Sequence, residues 1–115
     1  MIAVIFEVKP ETGRGDEYLD IAAALRPELE RIEGFVSVER FASLSTPGKV
    51  LSLSFFESEE AVAAWRNTGA HRRAQQAGRD NVFAFYRLRV AHVLRDYGKT
   101  EREEAPADSL VVHGG

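Results

Sequence analysis

The first apolar run of the chain has the composition of a buried strand. Ile2–Val8 is almost continuously β-branched or aromatic, which predicts a central strand covered on both faces. Residues 9–15 are polar and contain one proline and two glycines, so we expect a loop there.

Residues 16–34 carry a helical pattern. Asp16 is the predicted cap and Gly34 the predicted C′ residue. Pro27 lies inside the pattern, so we expect a kink or a restart near it. The apolar side chains recur every three or four positions and so form one stripe: Tyr18, Ile21, Ala22, Leu25, Leu29 and Ile32.

Two strands joined by a turn come next. Phe35–Phe41 places Phe and Val residues among polar ones, which predicts a strand whose outer face is mixed and includes Arg40. Residues 43–49 contain Pro-Gly and predict a hairpin turn. Val50–Phe56 predicts the third strand, with Phe55 on the same face as the two leucines.

A second helical region precedes the last strand. Ser58 is followed by two glutamates, which suits a helix N-terminus with a hydroxyl cap. The helix is predicted to break near Asn67–Gly69 and to resume over Ala70–Ala77. Asn81–Tyr97 then predicts a long strand with Phe83, Phe85, Arg87 and Arg89 on one face and Tyr86, Leu88, Val90 and His92 on the other.

The resulting order β-α-β-β-α-β predicts an α+β, ferredoxin-like domain over residues 1–97. Its four-stranded antiparallel sheet has both helices on one face. The other face keeps apolar residues, so we expect a homodimer in which the bare faces meet. Residues 98–115 form a polar tail, whose last apolar residues either dock on the partner subunit or are a loose end: Leu110, Val111 and Val112.

Composition excludes several classes of protein. The net charge of −3 gives no general attraction to nucleic acid. Cysteine is absent, which excludes disulfides and thiol chemistry. The N-terminus lacks a basic region and a cleavage site, and no apolar run is long enough to span a membrane. A cytoplasmic protein without membrane contacts is therefore expected.

Trp65, the single tryptophan, and His71 are the first candidates for chemistry. The alternative is that neither residue takes part in chemistry. Trp65 is then a core residue, and His71 is a surface or core residue. A helix break at Thr68-Gly69 would let His71 swing over a cavity that Trp65 lines. An aromatic-lined pocket of this kind suits a hydrophobic ring compound.

Arginines and a tyrosine extend this candidate site. Arg72 either belongs to a solvated cationic face or recognises an anionic group of a substrate. Arg87 is either an ion-pair partner in the dimer interface or a pocket residue. Tyr86 lies on the face expected to meet the helices, where it can donate a hydrogen bond. We find no phosphate-binding loop and no metal-ligand spacing of histidines.

The chain resembles the antibiotic biosynthesis monooxygenase superfamily over roughly residues 1–97. The residues that carry the resemblance are EGFVSVERF, SLSFFESEEAVAAW, HRRAQQAGR and FYRLRVAHVLRDY. The resemblance implies a dimeric ferredoxin-like α+β barrel. It also implies oxygenation of aromatic, phenol- or quinol-like compounds without a cofactor, because the deprotonated substrate itself reduces dioxygen.

Residue roles follow from that resemblance. Trp65, His71 and Arg87 match the catalytic positions, and Phe6, Phe55, Arg72 and Tyr86 are the expected substrate-binding residues. A haem-degrading branch of the superfamily uses a first-strand Asn, which this chain lacks, and a longer Trp–His interval. The alternatives are a non-catalytic, dimeric small-molecule-binding or stress-related module and a haem-binding or haem-degrading protein.

Overall fold

The fold is built on four strands: β1 (Ile2–Pro10), β2 (Phe35–Ala42), β3 (Val50–Phe56) and β4 (Phe83–His92). They form an antiparallel sheet in the order β2-β3-β1-β4, with β1 hydrogen-bonded to β3 and β4. This confirms the predicted ferredoxin-like α+β class and the central position of the first strand. The structure, a computed structural model, describes residues 1–108, and of residues 70, 77, 78 and 81 it describes the backbone alone.

The helices lie on one face of the sheet, as predicted. They are α1 (Gly15–Glu30), α2 (Glu59–Arg66) and α3 (Gly69–Ala77). The predicted break between the second and third helices is confirmed. A π-helical turn over Gly78–Val82, which the sequence pattern did not indicate, leads from α3 into β4. Such turns recur at functional sites because they shift the helical phase by one residue.

The start of α1 differs from the prediction. Arg14, not Asp16, is the N-cap residue, and its side chain makes no capping hydrogen bond. Its guanidinium instead pairs with Glu17 at 2.7 Å. Asp16 lies in the first turn, where a carboxylate is favoured by the positive end of the helix dipole.

Of the kink or restart predicted near Pro27, the restart is wrong, since α1 continues through this residue. Proline removes the backbone bond to the carbonyl four residues earlier. Ala23, which carries that carbonyl, and Pro27 are both exposed, so water can satisfy it. The helix ends at Glu30 with Arg31 as its C-cap.

Gly34 is therefore not the C′ residue of α1. It has a φ of +90°, which favours glycine. A Cβ at this position would lie 2.9 Å from the Cβ of Ala61. Gly34 thus lets the start of β2 pass close to α2.

Most of the remaining boundaries agree with the sequence to within one residue, but β1 runs to Pro10, two residues beyond its predicted end, and β4 begins at Phe83, two residues after its predicted start. Ser58 caps α2 by accepting a hydrogen bond from the backbone N–H of Ala61 at 3.2 Å, as predicted. β4 ends at His92, five residues before the predicted end at Tyr97. Residues 110–112, predicted to dock or to be loose, lie outside the described residues. Within residues 1–108 no helix is long and apolar enough to cross a membrane.

The hydrophobic core consists of two clusters. The first contains Phe56, which is 1% exposed, together with Ile2, Leu29, Val38, Ala61 and Val62. The second contains Val8, which is fully buried, together with Tyr18 and Val82. Trp65 packs against the first cluster and Phe83 against the second.

Candidate functional site

A cavity of about 240 Å³ lies between the sheet and the helices, with members of both core clusters in its walls. An apolar cavity of roughly 150 Å³ already holds a benzene ring, so this one suits a ring compound with a substituent. Its lining comprises Val4, Phe6, Tyr18, Ile21, Ala22, Leu25, Arg26, Leu29, Val38, Arg40, Ser52, Ser54, Trp65, His71, Ala74, Gln75, Arg79, Phe83, Tyr86 and Leu88.

The sheet supplies the floor of the cavity as rows of paired residues. Arg40 of β2 pairs with Ser52 of β3, Ser52 with Phe6 of β1, and Phe6 with Leu88 of β4. All four line the cavity. The floor therefore changes from cationic at the β2 edge to apolar at the β4 edge.

Trp65 and His71 form one wall, held in place by Thr68. The two rings meet edge to face with centroids 5.4 Å apart. The Thr68 hydroxyl donates to the carbonyl of Trp65 at 2.9 Å and accepts from the backbone N–H of His71 at 3.1 Å. One side chain thus ends α2, begins α3 and fixes the distance between the two rings.

The surroundings of His71 favour the neutral form of its imidazole. Burial is the main cause that lowers the pKa of its imidazole, and the nearby charges of Arg66 and Arg72 lower it further, while the Arg66 backbone acts in the opposite direction. Its Nδ1 is buried and has no hydrogen-bond partner within residues 1–108. A neutral imidazole whose lone pair is on Nδ1 can accept a proton there.

Two more polar atoms around the cavity are buried without a protein partner. They are the hydroxyl of Tyr18 and Nε of Arg40, again considering only the described part of the chain. An unpaired buried polar atom costs about 1–3 kcal/mol, and native structures contain few of them. These three atoms around one cavity are available for hydrogen bonds to water or to the polar groups of a ligand.

A cluster of aromatic rings forms another part of the cavity wall. Phe83 lies 5.9 Å from Phe6, 5.7 Å from Tyr18 and 6.3 Å from Tyr86, measured between ring centroids. These are ordinary aromatic contact distances. A planar ligand can therefore lie between this cluster and the Trp65 wall.

Phe83 reaches the cavity because of a β-bulge. Phe85 pairs with Lys9 and Phe83 with Pro10, so β4 has one more residue than β1 at this point. A bulge turns the following side chain to the other face of a sheet. The prediction that Phe83 and Phe85 share a face is therefore wrong.

The residues expected at the site are divided by the sheet. Phe6, Trp65, His71 and Tyr86 line the cavity. Phe55, Arg72 and Arg87 do not line it. The Arg72 guanidinium donates to Oδ1 of Asn67 at 2.8 Å. Phe55 and Arg87 alternate with cavity residues along β3 and β4, so they lie on the face away from the helices.

Sequence reasoning missed Arg40 as a site residue. A second bulge explains the error, since Phe35 pairs with Phe56 while Ser37 pairs with Phe55. The bulge places Phe35 and Arg40 on the same face, although they are five residues apart. The spacing of Val38 and Arg40 held the signal, because two residues two apart on a strand share a face.

No group of three or more His, Asp or Glu side chains that could hold a metal ion is found within residues 1–108. The polar groups around the cavity are instead an imidazole, two phenols, guanidinium groups, hydroxyls and an amide. The arrangement can accept a proton at His71 and stabilise negative charge at Arg40.

Comparisons with known proteins agree with this architecture. The model of the family described as antibiotic biosynthesis monooxygenase matches residues 1–77. A structure from Deinococcus radiodurans assigned to these monooxygenases superposes with a TM-score of 0.76 at 10% identity, covering 85% of this chain and 97% of that one. At that identity the likeness shows the fold alone.

Two curated relatives match at the level of sequence. The "Jasmonate monooxygenase ABM" of Pyricularia oryzae is 50% identical over 101 residues, which cover 88% of this chain and 47% of that protein. The chain thus spans about half the length of this relative. The uncharacterised protein YqjZ of Bacillus subtilis is 35% identical over 98 residues, which cover 81% of this chain and 79% of that protein. The chain belongs to the antibiotic biosynthesis monooxygenase family.

Proposed function

We propose that the protein is a monooxygenase that oxidises one small, largely apolar ring compound with an acidic hydrogen, of the phenol or quinol type, without metal or flavin. The observation that carries the proposal is the contact between Trp65 and His71 at the wall of a cavity. His71 is the base, because burial lowers its pKa and so favours the neutral ring near pH 7.

The cavity supports three roles in such a reaction. Trp65 and the facing aromatic rings hold the substrate ring. His71 removes the acidic proton, and Arg40 stabilises the resulting anion. The low polarity of the surrounding walls strengthens this charge interaction relative to water.

The reaction balances without an external reductant. The carbanionic carbon of the substrate adds dioxygen and, after protonation, carries a hydroperoxide. Loss of the second hydrogen from this carbon breaks the O–O bond, forms a carbonyl and releases water. A CH₂ group plus O₂ therefore becomes a C=O group plus H₂O, and the substrate supplies all the electrons.

Oxygen uptake with anthrone and a series of hydroquinones tests this proposal. We expect His71→Ala to reduce the rate by about 10²–10⁴-fold, the usual contribution of a positioned general base. His92→Ala is the matched control, because His92 is exposed and does not line the cavity. A His71→Ala variant with the full rate would exclude His71 as the base.

An oxo acid is the second candidate substrate. The relative that is 50% identical is named a jasmonate monooxygenase. Among the described residues, three arginines but no carboxylate line the cavity. Hydroxylation of such an acid at an unactivated carbon needs two electrons from a donor, because the second oxygen atom must be reduced to water. Incubating the protein with jasmonate and ¹⁸O₂, with and without reduced nicotinamide, and measuring product mass distinguishes this reaction from quinol oxidation.

A further inference from the structure

Arg40 has an unusual position for a cationic side chain. It extends from β2 toward the helices and lines the cavity, next to Ser52 on the neighbouring strand. Its Nε is buried, and neither a hydrogen bond nor an ion pair joins this side chain to another described residue. The guanidinium has lost part of its hydration without gaining a protein anion in exchange.

Several other arginines of the molecule have carboxylate partners, although the exposed Arg79, which also lines the cavity, has none within residues 1–108. Arg14 pairs with Glu17, and Arg26, at the edge of the cavity, pairs with Glu30. Within the part of the chain that the structure describes, no Asp or Glu lines the cavity. A desolvated guanidinium without a carboxylate is stabilised by any anion that reaches it, because charge-assisted hydrogen bonds are the strongest in proteins.

We propose that Arg40 is the anchor for an anionic oxygen of the ligand, so that the cavity selects small apolar acids over neutral compounds of the same shape. The hydroxyl of Ser52 lies beside it on the floor. The apolar part of the ligand lies over Phe6 and Leu88, in the same row of the sheet. The binding of an acid at Arg40 is independent of the proposed monooxygenase function. Only the oxidation of the bound ligand rests on that function.

The anion has two chemical sources, a carboxylate or an ionised phenol. Both present an oxygen that accepts from a guanidinium N–H. A carboxylate accepts two such bonds side by side, whereas a phenolate offers a single oxygen. The preference between them decides whether the anchor holds an acid tail or the reacting oxygen itself.

Equilibrium binding without turnover tests the anchor directly. The fluorescence of Trp65, the single tryptophan, reports on the cavity wall that it forms. Cyclohexylacetate and its neutral amide are matched probes, which do not absorb where tryptophan is excited. We expect the acid to bind at least about tenfold more tightly than the amide, as for a hydrogen bond to a charged group.

Variants of Arg40 assign that preference. Arg40→Gln should remove the preference for the acid, and Arg40→Lys should restore part of it, which also shows that the fold survives substitution. Arg31→Gln is the matched control, since Arg31 is exposed after α1 and pairs with Glu28. It should keep the full preference. Equal binding of acid and amide by the wild-type protein, or an Arg40→Gln variant that still prefers the acid, would overturn the proposal.

A second probe distinguishes the two sources of the anion. The visible absorption of 4-nitrophenol reports its own ionisation in the complex. A lower pKa of bound 4-nitrophenol in the wild type than in Arg40→Gln assigns the anchor to phenolates, and an acid preference without this shift assigns it to carboxylates. If the anchor is confirmed but no acid or phenol is oxidised, the proposed monooxygenase function fails and the anchor stands.

Discussion

The two faces of the sheet differ in whether their charged and polar groups have partners. On the face away from the helices, Glu7 accepts from Lys49 at 2.7 Å and also pairs with Arg89. Hydrogen bonds from these two groups lower the pKa of the Glu7 carboxyl, Lys49 first. On the helix-covered face, Arg40, His71 and Tyr18 each have a buried polar atom without a partner in the described chain.

The difference gives the two faces different capacities for binding. Paired charges and apolar side chains can be covered by another protein surface without leaving a group unsatisfied. Unpaired polar atoms around a cavity remain unfavourable until water or a ligand supplies the missing hydrogen bonds. The bare face therefore suits association, and the covered face suits chemistry.

Disruption of the bare face should have the largest effect. Leu53 pairs with Ile5 in the centre of that face, and Leu53→Arg would place an unpaired charge in the predicted dimer interface. We expect a dimer for the wild type and a monomer for this variant in sedimentation velocity experiments. Leu19→Arg, on the exposed side of α1, is the control. A monomeric wild type would disprove the interface.

Truncation in the core should have the next largest effect. Phe56 is 1% exposed, so Phe56→Ala should lower the free energy of unfolding by roughly 3–5 kcal/mol. Phe85→Ala, at a position that is 43% exposed on the bare face, should cost less. Urea denaturation at several protein concentrations checks both values. A cost at Phe85 that grows with concentration would show that this ring is buried between subunits.

Removal of the cavity charge should stabilise the protein. Arg40→Met keeps an extended side chain but eliminates the unpaired Nε, and we expect a gain of about 1 kcal/mol, since Arg40 is only partly buried. Urea denaturation measures this gain, and acid binding should be lost in the same variant. A destabilised Arg40→Met variant would mean that the guanidinium contributes to folding.

The pH dependence should show the smallest effect. Burial lowers the pKa of His71 from its ordinary 6.5, so the unfolded chain takes up this proton at a higher pH than the folded chain. His71 therefore leaves stability unchanged above about pH 6.5 and reduces it as the pH falls below that value, until the folded pKa is passed. Unfolding in urea between about pH 5 and 7.5 measures this slope. His71→Gln should flatten it, and His92→Gln should not.

The sequence predicted most of the fold because its patterns are local. Strand β3 was predicted with its observed limits, the cap at Ser58 was identified, and the break after Asn67 was expected from Gly69. Helix α1 was less predictable, because the solvent exposure of Pro27 is a property of the folded molecule. For the candidate site, the sequence singled out Trp65 and His71, whose roles stay predictions.

The errors at the site have a common cause in the two bulges. Each adds one residue to a strand, at Val36 in β2 and at Ala84 in β4. A bulge reverses the alternation of side chains beyond it. Strict alternation therefore placed Arg40 outside and Phe83 on the bare face. Only the pairing of neighbouring strands reveals such an insertion, and pairing is not a local property.

The division of the core into two clusters has a consequence for how folding and binding are related. The cavity interrupts what would otherwise be a continuous apolar interior, so contacts between the ends of the domain are missing across it. A ligand that touches the Trp65 wall and the Phe83 cluster replaces those contacts. Such a ligand would therefore stabilise the folded domain as well as occupy its cavity.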